Sequence, residues 1–92
     1  MKPLDNFSFL KLTKTEQIIL VLKSGEKLMT RCNKEFSIHL YLLGNLFVEL
    51  WYEADSPKIV KTQLLSEENV ISDFAITCEM IQKLRTTRKT MD

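Results

Sequence analysis

Residues 36–52, FSIHLYLLGNLFVELWY, decide how this chain folds. Two apolar runs meet at Gly44-Asn45. A glycine at the first central position of a two-residue loop accepts positive φ without steric cost. The flanking Phe, Ile, Tyr, Val and Trp side chains suit a pleated surface. A helix through the same stretch would carry Gly44 in its middle, at about 1 kcal/mol for that residue alone. The reading is a β-hairpin. Leu43 then faces Leu46, Leu42 faces Phe47, Leu40 faces Glu49 and Ile38 faces Trp51.

Alternation sorts the hairpin into two faces. Face A carries Phe36, Ile38, Leu40, Leu42, Phe47 and Trp51, with Glu49 as its one charged residue. Face B carries His39, Tyr41, Leu43, Leu46, Val48, Leu50 and Tyr52. A sheet with one wet side alternates apolar with polar residues. Here both sides are apolar, so both need a cover.

Working outward, residues 58–65 extend the sheet after the turn Asp55-Ser56-Pro57. If Glu53 pairs with Lys58, Val60 faces Trp51 and Leu64 faces Phe47. Residues 27–32 form a strand on the other side, joined by the polar turn Asn33-Lys34-Glu35. Ser66 is an N-cap, with Glu67 and Glu68 in the first turn of a helix. The stripe Val70, Ile71, Phe74, Cys78, Ile81 and Leu84 continues it. Trp51 is expected to be buried beneath this helix, near Phe74 or Cys78. Residues 86–92 read as a frayed tail.

Before the sheet, Thr13 and Glu16 form a capping box, and Gly25 fits a helix C-terminus. The intervening IILVL is apolar all round, so a helix over 14–24 competes with a buried strand. Residues 1–12 contain Phe7, Phe9, Leu10 and Leu12 and read as a docked extended segment. The expected fold is one α+β domain over residues 1–92. It is a two-layer α-β-β-β-β-α arrangement, with both helices on face A of a four-stranded antiparallel meander.

Size and composition are those of one globular domain: 92 residues, 45% hydrophobic, 27% charged. No apolar run reaches the ~20 residues that span a bilayer. MKPLDNFSF lacks the apolar core of a secretory signal. The two cysteines, Cys32 and Cys78, fit no zinc or redox spacing. They read as small buried residues with no histidine beside them, in a reducing cytoplasm. The net charge of +1 conceals an acidic sheet region between basic ends. An acidic sheet argues against nucleic acid lying on it. Lys83, Arg85, Arg88 and Lys89 cluster near the end, where basic charge complements a helix C-terminus or meets an acidic partner.

Residues 41–52 followed by a turn and Lys58-Ile59-Val60-Lys61 resemble a group of small bacterial proteins with a YLLGN-FVE-WY hairpin. The likeness covers a third of the chain and implies a bacterial, cytosolic protein. That group carries no assigned activity to transfer.

No Walker loop, GxGxxG, HExxH or CxxC is present, and no cofactor is implied. His39 could act as a general base with a tyrosine partner, but without a paired carboxylate or thiol it reads as structural or interfacial. Glu49, in the apolar centre of face A, could bind a ligand with Trp51; the plainer reading is a salt bridge to a lysine or to Arg31. With both helices on face A, the seven residues of face B stay open. That predicts an interaction module that forms a homodimer through the sheet. The alternatives are a small-ligand-binding protein or enzyme with a sheet–helix pocket near Glu49, and a nucleic-acid-associated regulator acting through the basic ends.

Overall fold

A computed structural model describes residues 5–74. The order is α1 (Asn6–Leu10), α2 (Lys14–Ser24), β1 (Glu26–Cys32), β2 (Phe36–Leu43), β3 (Leu46–Glu53), β4 (Ile59–Leu65) and α3 (Glu67–Phe74). The strands form one antiparallel sheet in the order β1-β2-β3-β4. The fold is α+β, with helices before and after a four-stranded meander. Cys78, Ile81, Leu84, the basic cluster 83–89 and the tail 86–92 lie outside the described residues.

The central hairpin has the expected register throughout, from Leu43 opposite Leu46 to Ile38 opposite Trp51. Gly44 sits at φ 61° in its turn, the conformation that calls for glycine. Thr13 and Glu16 cap α2 reciprocally, with N–H to side-chain oxygen distances of 2.8 and 3.1 Å. These two bonds satisfy donors that a helix start leaves unpaired. Residues 14–24 are therefore helix, not strand. Gly25 closes α2 for a reason other than positive φ. Its N–H donates to the Val21 carbonyl at 2.8 Å, and a Cβ there would lie 2.6 Å from that oxygen.

Three expectations are corrected. Residues 6–10 are helical rather than extended. Asp5 caps them by accepting the Ser8 N–H at 2.7 Å, and Phe9 is driven fully inside.

Second, the helices do not share a face. Val70 and Phe74 of α3 pack on face A with Ile38, Leu40, Leu42 and Phe47. Phe9 of α1 and Val21 of α2 pack on face B with Tyr41, Leu43, Leu46, Val48 and Leu50. The arrangement is helix, sheet, helix rather than two layers. The cause is the composition of the hairpin, which offers apolar side chains in both directions. A fully buried side chain such as Leu50 contributes about 1.5–3 kcal/mol, so leaving either face wet would be costly.

Third, β4 is displaced by one residue. Glu53 does pair with Lys58, its N–H donating to the Lys58 carbonyl at 2.9 Å. Tyr52 then faces Ile59, but Trp51 faces Lys61, so Val60 is an extra residue in a bulge. Beyond the bulge every side chain changes face. Leu65, not Leu64, opposes Phe47, and Leu64 opposes Val48 on the α2 side. A matching irregularity at Leu28 lies in β1.

Candidate functional site

Face A places the two residues singled out as ligand-binding, Glu49 and Trp51, in one hydrogen-bonded group. Glu49 is 1% exposed. One carboxylate oxygen accepts from the Arg31 guanidinium at 3.0 Å, and the other accepts from the Trp51 indole N–H at 2.9 Å. A buried charge demands such partners. Arg31 reaches across β2 from the edge strand and also stacks near Trp51 and Phe74, at 5.6 and 5.2 Å. Lys61 lies 4.2 Å above the indole, and the Phe36 ring meets it edge-on at 5.3 Å. Trp51 is thus half-buried, packed against the core that holds Val70 and Phe74 and flanked by the two cations and Phe36. Both Glu49 oxygens are engaged, and the group is a structural clamp.

Face B is closed over most of its length. Tyr41, Leu43, Leu46, Val48 and Leu50 are buried beneath α1 and α2, so the open patch expected there does not exist. Gln17, buried on α2, is the bolt of this cover. Its side-chain N–H group donates to the Phe9 carbonyl at 3.1 Å and to the Leu12 carbonyl at 3.4 Å. Its amide oxygen accepts from the Thr62 hydroxyl of β4.

Among the described residues, α1 and α2 leave the open end of the hairpin only partly covered, and His39 and Tyr52 are half-buried there. There a groove of about 580 Å³ is lined by Cys32, Ser37, His39 and Tyr52, together with Lys34, Pro57 and their neighbours in the two turns. The walls follow from local chemistry. The Asn33 side-chain oxygen accepts from the N–H groups of Glu35 and Phe36 at 2.9 and 2.8 Å, which folds the β1–β2 turn. Asp55 takes φ 60° in the β3–β4 turn, a conformation that Asp tolerates better than most.

Strand pairing sets Cys32 opposite Ser37, and His39 lies two residues along on the same face. The Cys32 thiol lies 3.8 Å from the Ser37 oxygen, and that oxygen lies 3.1 Å from His39 Nε2. The His39 ring lies against Tyr52, with centroids 4.4 Å apart. Cys32 is exposed, not buried, and it does have a histidine within reach through Ser37. Burial, and secondarily the charge of Lys27, push the His39 pKa below its ordinary value. Burial and the neighbouring Tyr52 push the Tyr41 hydroxyl up.

A third region is the outer side of the helical cover. Phe7 and Leu10 on α1 and Ile19 and Leu22 on α2 are between 51% and 69% exposed. Lys11 lies 4.5 Å over the Phe7 ring.

Among the described residues, no helix is long and apolar enough to cross a membrane. No group of three or more His, Cys, Asp or Glu among them is placed to hold a metal ion. No family model, curated protein or solved structure matches the chain.

Proposed function

We propose that the chain is a small interaction module that self-associates, through the outer side of α1 and α2 rather than through the sheet. One observation carries the reading: Phe7, Leu10, Ile19 and Leu22 are all more than half exposed on the two helices that already bury Phe9 and Val21 inward. A helix with apolar residues on both its inner and outer sides is suited to packing between two surfaces. Large exposed apolar side chains gathered on one layer are a mark of contact sites. A second copy of the chain is the simplest occupant, because a two-fold contact buries the same residues on both partners. The net charge of +1 sets little repulsion against it.

Light scattering at rising concentration tests this, with an expected limit of twice the chain mass. Leu10→Glu combined with Ile19→Glu should give a monomer with an unchanged circular dichroism spectrum. Val48→Arg should instead unfold the chain, because Val48 is fully buried beneath α2. A wild-type protein that stays monomeric at millimolar concentration would overturn the reading.

A further inference from the structure

The groove at the open end of the hairpin contains more chemistry than a self-associating module requires. Cys32, Ser37 and His39 stand in line: thiol to hydroxyl at 3.8 Å, hydroxyl to imidazole Nε2 at 3.1 Å. A nucleophile linked to a base, here through the Ser37 hydroxyl, with the base held by a third group, follows the logic of an activated nucleophile. Tyr52 supplies the third part by packing on the His39 ring. The line ends in the groove of about 580 Å³, the size of a small-ligand site.

We propose that Cys32 is a nucleophilic thiol whose proton passes through the Ser37 hydroxyl to His39, and that the groove admits a small disulfide as its electrophile.

The step balances as follows. The Cys32 thiol gives its proton to the Ser37 oxygen as the Ser37 hydroxyl gives its own to His39 Nε2. The Cys32 sulfur attacks one sulfur of the disulfide, the S–S bond breaks, and a mixed disulfide forms at Cys32. The departing thiolate takes the proton back from the imidazolium. Cys32 is oxidised, and the departing half is reduced to a thiol. The relay needs the Nδ1–H tautomer of neutral His39, so that Nε2 is free to accept. Burial and Lys27 favour the neutral ring. The other ionisable groups of the groove are Lys34, Tyr52, Glu53 and Asp55.

The probe is 4,4′-dithiodipyridine, a small neutral disulfide, applied to the full chain. Thione release gives the rate, and peptide mass spectrometry assigns the adduct to Cys32 rather than Cys78. At pH 7, Ser37→Ala and His39→Gln should each slow adduct formation at Cys32 about tenfold, since an unassisted thiol of pKa about 8.5 is only about 3% thiolate there and full activation gains at most about thirtyfold. The wild-type rate should fall in acid as His39 is protonated, and the pH profile of His39→Gln should lack that inflection. Wild-type rates and profiles in both variants would make Cys32 an ordinary surface thiol. Should His39→Gln lose its fold with the Tyr52 contact, Ser37→Ala decides alone, since it leaves both thiol and ring in place.

Discussion

Arg31 and Glu49 meet at 3.0 Å although β2 runs between their strands, and Glu49 is almost wholly buried at the meeting point. Removing one partner strands the other. Glu49→Ala should cost about 3 kcal/mol, the low end of the range for breaking a buried pair, because the Arg31 side chain is 35% exposed and can turn to water. Replacing both, as Arg31→Met with Glu49→Leu, should recover most of that loss, because the neighbours Phe74, Trp51 and Leu40 offer apolar contact. Urea unfolding of the three proteins checks the prediction. A double variant no more stable than Glu49→Ala would show that the pair gives stability that packing cannot replace.

Gln17 joins three elements through one amide. Gln17→Leu keeps the volume but leaves the Phe9 carbonyl and the Thr62 hydroxyl without this partner. The loss should be about 1–3 kcal/mol, the range for a buried polar group left unsatisfied. Hydrogen exchange should quicken first in residues 6–12. Uniform acceleration across the sheet would contradict the local role.

The bulge at Val60 makes a prediction about deletions. Without Val60, Ile59 still opposes Tyr52 and Lys61 still opposes Trp51, in a regular ladder. That variant should fold cooperatively, with a modest loss from the half-buried valine. Deleting Gln63 instead turns the residues on one side of the gap to the opposite face, which sets Leu64 or Thr62 against the wrong helix. It should not fold. Amide NMR spectra of the two deletions distinguish these outcomes.

His39 gives a pH dependence of known sign. Its pKa in the folded chain is lowered from 6.5, first by burial and then by Lys27. Between 6.5 and that lower value the unfolded chain binds a proton that the folded chain does not. Stability from this group is therefore present above 6.5 and is lost as pH falls, completely so below the folded pKa. The urea midpoint of the wild type should drop more between pH 8 and pH 5 than that of His39→Gln. Equal drops would remove His39 as a cause.

The hairpin was legible because period-two apolar runs around Gly44-Asn45 leave a single pairing. The capping box of α2 and the Ser66 cap were legible because their residue types act locally; the Asn69 N–H donates to Ser66 at 3.2 Å. Glu49 stood out as a charge on an apolar face, and Arg31 was already among its possible partners. The side taken by each helix was not legible, since two apolar faces attract equally. The bulge was not either, because IVKTQLL alternates acceptably in both registers. Gln17 carried no signal at all: its worth depends on Thr62, 45 residues away. The Cys32–Ser37–His39 line could have been found by pairing residues 27–32 with the hairpin across the three-residue turn.

The two covers of the sheet come from opposite sides of it in sequence, and this bears on the order in which the chain can close. During synthesis α1 and α2 are already present when β2 and β3 emerge, so Tyr41, Val48 and Leu50 have their partners at once. Ile38, Leu40, Leu42 and Phe47 must wait for Val70 and Phe74. Between the emergence of β3 and that of α3, one side of the nascent hairpin is sealed and the other is an open apolar strip. Such a strip is what chaperones hold and what aggregation seizes. A ribosome-held chain with β3 emerged and α3 still inside the exit tunnel would therefore display face A alone.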